Sequence, residues 1–180
     1  MRIGLYGGCF NPVHAGHLAA ARGAREALAL DEVLFIPSGH PPLKGNAGLV
    51  AGAHRLAMIE RAIADEPGMA VSSIEIDRDG PSFTVDTVRT LRAAFPAGAE
   101  LFFLLGDDCL RRLPRWKGID ELHEMLRFAI LPRSGQPEGE PDSRLIWLPL
   151  APLAVSSTEV RAMAALGQNP PAALVPAAVS

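Results

Sequence analysis

His14 and His17 stand three positions apart at the close of Gly7-Gly8-Cys9-Phe10-Asn11-Pro12-Val13-His14-Ala15-Gly16-His17. If a helix opens there, that spacing puts both imidazoles on one face of its first turn. An imidazole N–H donates to a phosphoryl oxygen, and glycines let backbone amides approach a phosphate closely. A helix N-terminus adds free N–H groups and the positive end of its dipole. Together these groups suit negative charge building on a phosphate that is being transferred or released. A Gly-Gly pair alone would signify only a turn; the whole string, set between a strand and a helix, points to phosphate chemistry.

A second constellation lies near the other end of the chain, Val155-Ser156-Ser157-Thr158-Glu159-Val160-Arg161. Serines at a helix start cap backbone donors and also present hydroxyls and amides to an anion. Arg161 falls one turn inside, from where its guanidinium can fold back toward a phosphate. By itself this is an ordinary helix cap; beside the first string it reads as the other half of an anion site.

These residues need elements to hold them, and the chain alternates strand-like with helix-like segments. The pattern predicts strands over 2–6, 32–37, 70–76, 100–105, 128–131 and 145–148, and helices over 17–30, 51–64, 84–95, 120–126 and 157–166. The strand 100–105 (ELFFLL) is apolar throughout, as a strand covered on both faces must be. Strand–helix alternation predicts an α/β fold: a Rossmann-like, doubly wound, mainly parallel sheet with helices on both faces, in a single domain. Ligands of such sheets sit at the carboxyl ends of the strands, where strand order reverses. Residues 1–168 are expected to form that domain, with 169–180 as an irregular, Pro/Ala-rich tail.

The composition excludes several classes. With 180 residues, 48% of them hydrophobic, the chain can bury a core without disulfides or a structural metal. A net charge of -3 lacks the basic excess of a duplex-binding protein, so nucleic acid is not expected as a partner. The two cysteines, Cys9 and Cys109, have no zinc-like spacing and read as free thiols in a reducing compartment. No apolar stretch reaches membrane-spanning length and no signal-peptide core follows Met1, so a cytoplasmic location without membrane contact is expected.

The two constellations resemble the nucleotidyltransferase superfamily marked by the His-x-x-His pair and a C-terminal Ser-Ser-Thr-x-x-Arg. Within it, Pro41-Pro42-Leu43-Lys44, Arg55, Met58, Gly80-Pro81-Ser82-Phe83-Thr84-Val85-Asp86-Thr87, Gly106-Asp107-Asp108 and Leu113-Pro114-Arg115-Trp116 resemble the bacterial nicotinate-mononucleotide adenylyltransferases. The resemblance implies adenylyl transfer from ATP to nicotinic acid mononucleotide, giving deamido-NAD and pyrophosphate, with Mg²⁺ carried mainly on substrate phosphates and no protein metal ligand. It implies that His14, His17 and Arg161 are catalytic. Gly7, Gly8, Cys9, Phe10, Gly106, Asp108, Ser156, Ser157 and Thr158 would join them around ATP. Lys44, Ser82, Phe83, Thr84 and Trp116 would hold the acceptor, Trp116 by stacking on the nicotinate ring. Other readings are the same transfer to nicotinamide mononucleotide or phosphopantetheine, and a non-catalytic nucleotide sensor. Self-association into a homo-oligomer is compatible with all of them. Two departures from the family pattern fall in the site: Cys9 stands in place of Thr or Ser, and Leu43 in place of His.

Overall fold

The computed structural model describes residues 1–42, 48–133, 142–152, 155–171, 174–176 and 179. Leu43 and Lys44 lie outside the described residues. Six strands, β1 (Arg2–Gly8), β2 (Glu32–Pro37), β3 (Met69–Val71), β4 (Glu100–Gly106), β5 (Arg127–Leu131) and β6 (Leu145–Trp147), form one sheet in the order β3-β2-β1-β4-β5-β6. Every pairing is parallel. Helices α1 (Ala15–Ala27), α2 (Gly52–Ile63), α3 (Thr84–Ala94), α4 (Ile119–Met125) and α5 (Ser157–Ala165) follow strands, and a 3₁₀ segment, Asp107–Arg115, leaves β4 directly.

The period of two along the strands explains why both faces are covered. Val33 and Phe35 of β2, with Phe102 and Leu104 of β4, meet Leu18, Ala21 and Ala24 of α1 and Ile59 and Ile63 of α2. Leu34, Ile36, Leu101, Phe103 and Leu105 point the other way, onto Val85, Val88 and Leu91 of α3 and Leu122 of α4. The chain is therefore a Rossmann-like, doubly wound α/β sheet.

One sequence expectation changes. The predicted strand 70–76 ends at Val71 in β3; the chain then turns, with Ile76 N and Asp77 N both donating to Ser73 O. Apolar residues at Ala70, Val71, Ile74 and Ile76 imitate a strand, but Glu75 is buried there, and its carboxylate accepts from Thr87 Oγ1 at 2.8 Å. A polar group at 6% exposure requires such a partner, and the turn delivers it. Parts of the tail are also docked: Ala15 N donates to Leu174 O at 2.8 Å, and Val175 is buried.

The sheet order reverses between β1 and β4. Their carboxyl ends, Gly7-Gly8 and Leu105-Gly106, lie side by side and open the crevice that such a switch point creates.

Candidate active site

The histidine string is held from both ends. β1 delivers Gly7-Gly8, and α1 begins after His14, which is its N-cap residue. His14 N donates to His17 Nδ1 at 3.2 Å, and His17 N donates to His14 O at 2.9 Å. Because His17 Nδ1 accepts, the proton of the neutral ring is on Nε2. The two rings stack with centroids 3.7 Å apart, and the His17 ring packs edge-on to Phe10 at 4.9 Å. Both are buried rather than on the surface. A Cβ on Gly16 would come within 3.0 Å of His14 Nδ1, a buried nitrogen with no partner among the described residues.

Burial, with the Arg133 guanidinium adding to it, pushes the His14 imidazole down to about 4 from its ordinary 6.5. His14 is thus neutral at neutral pH. The unfolded chain takes up a proton near pH 6.5 that the folded chain refuses until about pH 4, so stability falls as pH drops through that window. We expect His14→Gln to flatten the pH dependence of unfolding free energy, by up to about 1.4 kcal/mol per pH unit at the steepest point. Urea unfolding of both proteins between neutral pH and pH 4.5 measures it; parallel curves would refute the assignment.

The turn between Gly8 and Pro12 is fixed from three directions. Arg55 of α2, only 1% exposed, donates from Nη1 to Cys9 O at 2.9 Å and from Nε to Val50 O at 2.8 Å. Burial lowers its pKa, and carbonyls rather than a carboxylate answer its charge. Asn11 donates to Gly48 O at 2.9 Å and accepts from Val50 N at 3.2 Å. From α5, Ser157 Oγ donates to Pro12 O at 3.0 Å, and Arg161 Nη1 donates to Asn11 O at 2.7 Å while Nη2 reaches Thr158 Oγ1 at 3.2 Å. Ser156 caps α5, accepting from Glu159 N. The two constellations, 150 positions apart, therefore touch.

A cleft of about 460 Å³ contains every residue that the sequence places around ATP: Gly7, Gly8, Cys9, Phe10, His14, His17, Gly106, Asp108, Ser156, Ser157, Thr158 and Arg161. A Cβ on Gly106 would meet Asp108 Oδ1 at 2.4 Å and push that carboxylate aside. Arg133, just after β5, also lines the cleft, with Nε 3.7 Å from Asp108 Oδ1. Asn11, Arg55 and Arg133 were not assigned roles from sequence, although Asn11 stands inside the histidine string and Arg55 among the landmarks of the resemblance.

A second, apolar cavity of about 180 Å³ adjoins the first and shares Gly7, Gly8, Cys9, Leu105 and Cys109 with it. It contains Ser82, Phe83, Thr84 and Trp116 of the acceptor set. Trp116 lines it in T-shaped contacts with Phe103 and Phe128, at centroid distances of 5.6 and 6.1 Å. Ser82 is a clasp: its Oγ accepts from Gly39 N and His40 N, each at 3.0 Å, and it bonds the buried Glu75 carboxyl. Phe83 N donates to Pro81 O. Asp86 N and Thr87 N donate to Phe83 O, so the open donors at the start of α3 are the amides of Thr84 and Val85, with no side chain capping them.

Switch-point crevice, paired histidines and the docked Ser-Ser-Thr helix define a nucleotidyltransferase architecture, and a model of the cytidylyltransferase-like family matches residues 5–163. The chain belongs to that family. A relative from Shouchella clausii, described as a probable nicotinate-nucleotide adenylyltransferase, is 42% identical over 93% of this chain and 86% of its own length. Another so described, from Thermus thermophilus, is 41% identical over 89% of this chain and 85% of its own. Within the family, the chain is one of the nicotinate-nucleotide adenylyltransferases. The fold is shared with Plasmodium falciparum nicotinic acid mononucleotide adenylyltransferase complexed with NaAD, at a TM-score of 0.75 and 19% identity, covering 99% of this chain and 92% of that one. Among the described residues, no helix is long and apolar enough to cross a membrane.

Proposed function

We propose that the cleft binds ATP, the apolar cavity binds nicotinic acid mononucleotide, and residues 1–168 form the catalytic unit. The observation that carries this reading is the seam: two cavities of different character meet along Gly7, Gly8 and Cys9, where the reacting phosphates of both substrates have to meet. The acceptor's phosphate oxygen, anionic at neutral pH, attacks the α-phosphorus of ATP in line. The bond to the β-phosphate bridge breaks, and pyrophosphate leaves with that bond's electron pair. No side chain acts as nucleophile or general base.

The protein's part is positioning and charge stabilisation. The His14 and His17 rings, both lining the cleft, face the transferred phosphoryl group, and Arg161 exchanges Asn11 O for pyrophosphate oxygens. Trp116 stacks on the nicotinate ring, and the α3 amides take its carboxylate. Ser82 acts through the loop it clasps, and Lys44 would come from the neighbouring segment. Mg²⁺ fits this site as a passenger of the nucleotide. The cleft's imidazole and guanidinium groups are poor ligands for a hard cation, and the carboxylate that lines it, Asp108, lies against Arg133, so the nucleotide's phosphates would hold most of the metal's coordination. When bound, it neutralises phosphate charge.

The test is pyrophosphate release from ATP with a panel of acceptors: nicotinic acid mononucleotide, nicotinamide mononucleotide and phosphopantetheine. Release with the first is expected. Release only with another reassigns the cavity, and binding of ATP without release from any would leave a nucleotide sensor.

A further inference from the structure

The 3₁₀ segment that leaves β4 has a property beyond carrying Asp108 and Trp116. With three residues per turn, positions i and i+3 eclipse. Cys109, Arg112 and Arg115 therefore share one face, and all three line the apolar cavity. Arg111, off that face, does not. Leu113 is buried beneath the segment and fixes which side looks into the cavity.

The other charged groups of this cavity are already engaged. Lys117 Nζ lies 3.0 Å from Asp86 Oδ2 and 4.5 Å from the centre of the Phe83 ring. Glu75 is buried against Thr87, Ser82 and Ser38, and its burial raises its pKa toward the neutral form. Arg112 and Arg115 have no ion pair or hydrogen bond among the described residues. The cavity wall thus presents two uncompensated guanidiniums, one and two turns beyond Cys109. At about 2 Å rise per residue, Arg112 is about 6 Å along the segment from the seam at Cys109, within the reach of an arginine side chain; Arg115 is about 12 Å away.

We propose that Arg112 is the acceptor's phosphate clamp: with the acceptor ring stacked on Trp116, its guanidinium engages the phosphate at the seam and delivers it to the ATP cleft, while Arg115 adds charge at the outer rim. This rests on the acceptor reading above. A planar fork matches two phosphate oxygens, which an ammonium cannot do. The ligand class it selects is a flat-ringed mononucleotide carrying a terminal phosphate.

The experiment measures pyrophosphate release for Arg112→Gln, Arg112→Lys and, as an off-face control, Arg111→Gln. Each substrate is varied against saturating amounts of the other, and melting temperatures confirm folding. A lost charge-assisted contact corresponds to a rise of about 10- to 100-fold in the acceptor KM. The expected result is that rise in Arg112→Gln, with ATP KM within twofold, an intermediate value for Lys, and a flatter dependence of acceptor KM on salt. An unchanged acceptor KM, or an equal rise in ATP KM, overturns the clamp. Failure of the underlying reading looks different. If the wild type works only with another phosphate-bearing acceptor, the same comparison is made with that acceptor; if it works with none, the clamp falls together with that reading.

Discussion

Replacing His17 with Asn is expected to lower kcat by about 10²- to 10³-fold in a protein that still folds. The choice of Asn follows from the geometry. His17 is 7% exposed and packs on Phe10, Tyr6 and His14, so an alanine there would also open a void and leave His14 N without its acceptor. Asn Oδ1 takes the place of Nδ1, keeping the 3.2 Å bond from His14 N while removing everything at Nε2. Gln at the same position reaches to where Nε2 stood and should restore part of the rate. Asn and Gln variants with equal melting temperatures but rates separated by tenfold or more would place the effect at the donor. If the folded Asn variant turns over within threefold of the wild type, His17 has no part in stabilising the transferred phosphoryl group.

That the two histidines sit together at the switch-point cleft was legible in their spacing; that they are buried was not. An amphipathic reading of the first helix turn puts polar rings outside, whereas Phe10 and Tyr6, which cover them, come from the preceding strand and turn. The same limit recurs elsewhere. A continuous apolar run stopped by a proline gave β2 at its observed bounds, and strand–helix alternation gave a parallel sheet, because these depend on neighbours in sequence. The partners of Arg161, Arg55 and Asn11 depend on chain closure over 150, 46 and 39 positions, and no local pattern encodes them. Arg55 shows this most plainly: a charged residue is expected on the solvated face of α2, yet the carbonyls of Cys9 and Val50 satisfy it inside. The 3₁₀ segment went unread because its two buried-side leucines, Leu110 and Leu113, are too few to set a period and Pro114 reads as a helix stop. That segment is also where the site's least anticipated charges, Arg112 and Arg115, are found.

With the acceptor bound in that cavity, the cavity's charge would favour an acidic ring substituent. Nicotinic acid mononucleotide is expected to exceed its amide counterpart in kcat/KM by roughly 10² or more. Three features act together. The uncapped start of α3 at Thr84 offers backbone N–H groups and the positive end of a helix dipole to a carboxylate. An amide would turn its own NH₂ toward at least one of those donors, and a buried unpaired donor costs about 1 to 3 kcal/mol, to which loss of the charge-assisted bond adds. The unpaired guanidiniums on the 3₁₀ face favour the ligand with the extra negative charge. Glu75, which lines the same cavity, would oppose it if ionised, but burial raises its pKa and Thr87 and Ser82 hold it in place. The two unpaired guanidiniums outnumber this single carboxyl, so the balance at this wall is positive. Competition between the two mononucleotides in the pyrophosphate-release assay measures the ratio. A ratio near one, or a preference for the amide, would mean that neither the α3 amides nor the arginine face reads the ring substituent, and would leave adenylyl transfer standing with its acceptor reassigned.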